Sequence, residues 1–183
     1  MRTLLTRVVV LVLLGLPSLT AVELPLPSED IPKQLRERIV DSDGRVVSRD
    51  KLEAYNYFLF YVCADSCGAC GPFNNDIIDV YNAMGRKKDK VAFVLIGRDL
   101  DRGSHANYLK ENRFPFFTSY WQDLIPLRTN YQAFWFWRGE TPEFYLLKKD
   151  GSCVISQFDW QTQRMAAPKA TLTAITNWIT KLQ

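Results

Sequence analysis

The stretch FYVCADSCGACGPF, residues 60–73, carries three of the four cysteines in this 183-residue chain. Counted from Cys63 it spells C-x3-C-x2-C, the spacing of an iron–sulfur site in radical-type enzymes. Counted from Cys67 it spells C-x-x-C, the spacing of a dithiol that alternates between reduced and oxidised forms. The same residues cannot serve both chemistries, and the choice decides the fold.

The N-terminus bears on the choice through the compartment it implies. Arg2 and Arg7 stand around a short positive segment, and an apolar run from Val8 to Leu16 follows. Ser18, Thr20 and Ala21 then lead into a polar, proline-containing stretch. This is the layout of a secretory signal peptide, expected over residues 1–21 with a linker over 22–30. The run falls short of the roughly 20 apolar residues of a spanning helix. Leu19 is an imperfect residue two before a cut after Ala21, which leaves an uncleaved anchor open. Both readings export the folded part, to the periplasm or the cell exterior. An oxidising compartment suits an even number of cysteines and suits an oxygen-sensitive cluster poorly. Radical enzymes with this spacing also resemble barrels longer than this chain. Zinc wants four ligands, which Cys63, Cys67, Cys70 and the lone His105 could supply on paper. No second C-x-x-C or paired histidines support it. The dithiol reading stands ahead of both, with no bound metal or cofactor required.

Loss of the leader lowers the formal charge from +3 to about +1, which gives no footprint for nucleic acid. The basic run RKKDK at 86–90 reads as a solvated turn. About 160 residues remain, enough for one domain with a real core, expected over 31–183.

Around the dithiol the hydrophobic pattern alternates between strand and helix. YFLFYV (57–62) and VAFVLI (91–96) read as strands buried on both faces. After the C-x-x-C, Phe73, Ile77, Tyr81 and Met84 fall on one helical stripe. Ser104 is placed to cap a helix through about Asn112, with Leu109 facing inward. EFYLL (143–147) and CVISQF (153–158) flank KKDG, a hairpin signal. Pro168 opens a last helix whose buried face is Leu172, Ile175, Ile179 and Leu182. A short helix near PKQLRERI and an extended GRVVS precede the first strand. Strand, helix, strand demands a crossover and a parallel pair, hence an α/β fold with a helix-covered sheet. The C-x-x-C falls where the first buried strand hands over to its helix, at the carboxyl end where chemistry tends to sit in such sheets.

Cysteines three apart at a helix start stand about 5–6 Å apart at Cβ, close enough to bridge with small adjustment. Free amides and the positive end of the helix dipole favour a thiolate there. Cys67 is therefore the expected attacking thiolate, and Cys70 the thiol that resolves the mixed disulfide. An inert disulfide or a pair of buried thiols is the plain alternative.

These features resemble the thioredoxin fold: a central mixed sheet flanked by helices, with C-x-x-C at a strand-to-helix junction. More closely they resemble the exported TlpA-type and tryparedoxin/nucleoredoxin-like thiol–disulfide oxidoreductases. The stretch DSDGRVVSRDKLEAYNYFLFYVCADSCGAC is similar to their opening up to the C-x-x-C, YLKENRFPF to their helix-to-loop passage, and GETPEFYLLKKDGSCV to the strand begun by a cis-proline. The resemblance spans residues 40–182, with the C-x-x-C and Thr141–Pro142 its specific parts. It implies a redox-active Cys67–Cys70 pair, a cis Thr141–Pro142 peptide packed against it, and a substrate groove at Thr141 and Pro142 where an extended chain adds as a strand. Without the family, Pro142 could be a simple strand-opening proline. The implied partners are protein thiol or disulfide substrates and a redox partner protein. A membrane enters only through an uncleaved N-terminal segment.

The chain also departs from that pattern. Ser66 precedes the first cysteine, where tryptophan is usual, and Tyr61 stands where thioredoxins carry a buried aspartate. Pro72 lies early enough for the helix to restart there. Cys63 and Cys153 fall on strands expected not to be neighbours, so free buried thiols are the expectation, with Cys63 as a third redox partner left open. Cys63-x3-Cys67 also resembles the copper-binding Sco-like proteins, but FWFWRGETP lacks their histidine. His105 is expected at the surface of its helix start. Trp121 and YQAFWFW (131–137) could seat unfolded polypeptide beside the dithiol. The rival from another class is a non-enzymatic binding module, for metal or polypeptide, on the same fold.

Overall fold

The computed structural model describes residues 30–124, 141–159 and 164–182. The expected leader, nearly all of the linker and the YQAFWFW segment lie outside the described residues. The first continuous apolar run forms β1 (Tyr57–Cys63) and the second β2 (Val91–Gly97). They pair in parallel, from Tyr57 with Val91 to Cys63 with Gly97. Helix α3 (Cys70–Ala83) makes the crossover between them. The hairpin β4 (Glu143–Lys148) and β5 (Cys153–Ser156) extends the sheet beyond β1, both of its pairings antiparallel.

The other edge was not legible. Residues Phe117–Tyr120 form β3, parallel to β2, so the five-stranded sheet runs β3-β2-β1-β4-β5. A two-stranded piece, β6 (Phe158–Asp159) with β7 (Arg164–Met165), follows the hairpin. Val40 bridges both Val46 and Thr118, which ties the extended GRVVS segment to the sheet edge.

Alternation along β1 divides the interior into two layers. Phe58, Phe60 and Val62 face a core that includes Ile31 and Leu35 of α1 (Ile31–Leu35), Leu52 of α2 (Arg49–Glu53), and Tyr145. Leu59, Tyr61 and Cys63 face the opposite layer, with Ile77 of α3, Tyr108 of α4 (Arg102–Asn112), and Leu172 and Ile175 of α5 (Pro168–Thr180). Phe58, Leu59 and Phe60 are fully buried. Each stabilises the fold by roughly 1.5–3 kcal/mol relative to exposure. The consequence for the site is directional: Cys63 points to the same side of the sheet as α3.

Two helix starts differ from the sequence reading. Asp101, not Ser104, caps α4, its carboxylate accepting the Ser104 N–H at 2.9 Å and the Ser104 hydroxyl at 2.9 Å. A carboxylate one turn earlier meets the free amides better than a hydroxyl already inside the helix. At α3 the helix runs unbroken through Pro72, its third residue. First-turn amides have no intrahelical acceptor, so a proline there removes no helix bond.

Candidate functional site

β1 ends at Cys63, and the chain turns through Ala64–Ala69 before α3 begins at Cys70. The turn closes on itself: the Cys67 N–H donates to the Ala64 carbonyl at 3.1 Å, and the Cys70 N–H to the Cys67 carbonyl at 2.9 Å. Cys67 and Cys70 are joined as a disulfide, their Cα atoms 5.4 Å apart. Cys70 is the first residue of α3 and is buried; Cys67 is partly exposed at the mouth. Ala69 holds the cap position, and among the described residues no side chain caps the helix. The positive end of α3 is thus left to the disulfide sulfurs, which it would favour as thiolates.

Thr141 and Pro142 are brought to the same place. The Cys67 sulfur lies 3.5 Å from the Thr141 carbonyl oxygen, and the Thr141–Pro142 peptide is cis. Gln157, which the sequence reading passed over, fastens this segment. Its side chain donates to the Pro142 carbonyl at 3.2 Å and accepts the Phe144 N–H at 3.0 Å, while its own N–H donates to the Phe144 carbonyl at 3.1 Å. Phe144 then stacks on Tyr61, ring centroids 4.9 Å apart.

Behind the disulfide lies a buried polar network. The Tyr61 hydroxyl donates to Asn74 Oδ1 at 2.7 Å and sits 3.1 Å from Cys63 Sγ. The Tyr108 hydroxyl donates to the same Asn74 oxygen at 2.8 Å and sits 3.0 Å from Cys63 Sγ. Asn74 Nδ2 donates to Asn112 Oδ1 at 2.8 Å, and Asn112 in turn donates to the Tyr108 carbonyl at 2.9 Å. Burial pushes the Cys63 thiol up to about 11, against the pull of the two tyrosine hydroxyls. The same burial, reinforced by Cys63, holds both phenols well above their usual range. Cys63 is therefore a neutral thiol at ordinary pH. Cys153, partly buried on β5, is also free and is pushed up to about 11 by burial. β4 lies between β1 and β5, which keeps Cys63 and Cys153 on non-adjacent strands as expected.

His105 corrects an expectation. It is buried rather than at the surface, with Nδ1 2.8 Å from Asp99 Oδ2. The reason is Gly97 at the end of β2: a Cβ there would overlap the imidazole, so the missing side chain makes the space His105 fills. Asp99, buried still more deeply, accepts the Asp65 N–H at 2.6 Å and so ties the cysteine turn to the end of β2. Trp121 donates its indole N–H to the Asp99 carbonyl at 2.9 Å and faces the Asp99 loop. Asn74, Asp99, Tyr108 and Gln157 had no local signal, since each acts on a residue at least 13 positions away.

The sulfurs of Cys63, Cys67 and Cys70 all lie within 4.8 Å of one another. Reduced, they would make a thiolate set for a soft ion. With Cys67 and Cys70 joined, Cys63 alone keeps a thiol, and His105 is engaged with Asp99. This arrangement is that of a disulfide with a thiol behind it, and it does not favour the Sco-like copper reading.

No protein-family model matches the sequence, and no curated protein matches it. Solved structures do. Thioredoxin from Wuchereria bancrofti superposes with TM-score 0.60 at 18% identity, over 84% of this chain and 100% of that one. Native tryparedoxin I from Crithidia fasciculata gives 0.56 at 17% identity, over 79% and 91%. A secreted Mycobacterium tuberculosis disulfide oxidoreductase homologous to E. coli DsbE gives 0.53 at 14% identity, over 82% and 98%. The chain has the thioredoxin-like fold.

Proposed function

On this thioredoxin-like fold, we propose that the chain is an exported thiol–disulfide oxidoreductase acting on protein dithiols and disulfides through Cys67 and Cys70. The observation that carries the reading is the Cys67–Cys70 disulfide at the start of α3, its outer sulfur 3.5 Å from the Thr141 carbonyl.

In the reducing direction Cys67, as thiolate, attacks one sulfur of a substrate disulfide. A Cys67–substrate bond forms, the substrate S–S bond breaks, and the departing substrate sulfur takes a proton. Cys70 then attacks Cys67, forming the internal disulfide and releasing the second substrate thiol. Two electrons pass from the protein pair to the substrate, and a partner dithiol protein restores the pair. Oxidation of a substrate is the same sequence reversed. Thr141 and Pro142 form the groove beside Cys67, where an extended substrate segment adds as a strand. Electrons travel as thiols, so the cycle calls for no bound cofactor. Thiol–disulfide oxidoreductases among the similar structures, one of them secreted, support the reading. Export rests on the N-terminal segment; among the described residues no helix is long and apolar enough to cross a membrane.

An insulin reduction assay with dithiothreitol tests it. Cys67→Ser and Cys70→Ser should each abolish the acceleration over dithiothreitol alone. Full activity of Cys67→Ser would contradict the assignment of the nucleophile.

A further inference from the structure

Cys63 is the one member of the sulfur cluster that the proposed cycle leaves idle. Its position is built from several elements. Alternation along β1 turns it toward α3, and Tyr61 and Tyr108 set their hydroxyls 3.1 and 3.0 Å from its sulfur. Its sulfur lies within 4.8 Å of both disulfide sulfurs. Reacting atoms in a near-attack arrangement stand about 3–3.5 Å apart, so a side-chain shift of about 1–2 Å brings Cys63 to that separation.

We propose that Cys63 is a third exchange sulfur, which takes Cys70 from Cys67 and moves the disulfide into the interior. The proposal rests on the redox reading of Cys67 and Cys70 and extends it. In the step, Cys63 loses its proton, and a Cys63–Cys70 bond forms as the Cys67–Cys70 bond breaks. Cys67 departs and regains a proton. The protein's oxidation level is unchanged, so no outside oxidant or reductant enters. Attack at Cys70 rather than Cys67 follows from the leaving group: the sulfur at the exposed mouth, favoured as thiolate by the helix start, leaves more readily than its buried partner.

The hydroxyl pair suits this role. While Cys63 is a thiol, both phenols donate to Asn74 Oδ1, and the S–H can donate to Tyr108. As the sulfur takes on negative charge, either hydroxyl can turn from Asn74 to donate to it. Its environment therefore serves both protonation states without moving the backbone. The product is an oxidised protein with a free Cys67, able to attack a second substrate disulfide before any reductant arrives.

The test uses the full chain in a Cys153→Ser background, leaving three cysteines. Cys67→Ser in that background is oxidised with oxidised glutathione, quenched with acid and mapped by mass spectrometry. A Cys63–Cys70 linked peptide should account for most of the oxidised protein. In parallel, the oxidised protein with Cys67 intact is incubated with N-ethylmaleimide. Cys67 should become alkylated over time, each alkylated molecule carrying the Cys63–Cys70 link. Glutathione retained on Cys70 beside a free Cys63 in the first arm, or alkylation of Cys63 alone or of no cysteine in the second, overturns the proposal. Failure of the underlying reading looks different: the Cys67–Cys70 bond would then not exchange with glutathione at all.

Discussion

Asp99 accepts the backbone N–H of Asp65 at 2.6 Å while its second oxygen meets His105 Nδ1 at 2.8 Å. One buried carboxylate thus joins the turn that carries the cysteines to the start of α4. Its removal leaves the buried His105 ring nitrogen without its partner, a loss of about 1–3 kcal/mol. Asp99→Ala should lower the urea midpoint accordingly. Asp99→Asn, which keeps an acceptor for Asp65 and offers a donor to the imidazole, should lower it by less. Equal effects of the two substitutions would show that the carboxylate is not bridging as described.

Gly97 lies against the same ring, at its Nδ1 and Cε1 atoms. A Cβ at this position overlaps His105, and overpacking in a buried site costs about 1–3 kcal/mol. Gly97→Ala should destabilise by that amount in the His105 background and by clearly less once His105→Ala has emptied the space. Additive losses in this double-mutant cycle would place the two residues out of contact.

Gln157 closes the backbone on both sides of Phe144. Gln157→Ala leaves the Pro142 carbonyl and the Phe144 N–H buried without that partner. Each such group costs about 1–3 kcal/mol. A fall in unfolding midpoint, with a raised KM for insulin and a smaller change in kcat, is expected if this segment forms the substrate groove. A kcat effect with KM unchanged would place the groove elsewhere.

The free thiols of Cys63 and Cys153 carry a pH signature. Burial raises both from 9.0 to about 11, so the folded chain holds protons that the unfolded chain releases between those values. Their contribution to stability is fully present below pH 9 and is lost as pH rises through about 11. Urea midpoints should therefore fall between pH 9 and 11, and Cys153→Ser should shallow the fall. An unchanged slope in that variant would mean that the Cys153 thiol ionises alike in both states.

Much of this architecture was legible because burial writes itself into apolar runs: β1, β2, the hairpin and the closing helix all stand out as hydrophobic pattern. β3 did not, since Thr118 and Ser119 interrupt its apolar character. Their burial is made tolerable by partners far along the chain. The Ser119 hydroxyl donates to the Arg38 carbonyl at 2.8 Å, and the Thr118 N–H to the Val40 carbonyl at 2.9 Å. His105 was misread for a related reason, because the space it fills is made by an absent side chain eight positions earlier. The cysteine pair was legible from spacing alone. The hydroxyls around Cys63 were not, since Tyr108 reaches that sulfur across 45 positions. The C-x3-C-x2-C spacing that also fits a cluster site marks a strand end at Cys63 and a helix start at Cys70 that face each other.

The most direct measurement is the equilibrium of the Cys67–Cys70 pair against glutathione, followed by acid-quenched mass spectrometry in the Cys153→Ser background. A reversible two-electron transition confined to the three clustered cysteines, with Cys67→Ser unable to form the Cys67–Cys70 bond, is the predicted result. A Cys67–Cys70 bond that stays closed across the whole glutathione range, or thiols that arrive holding stoichiometric iron or zinc, would contradict it.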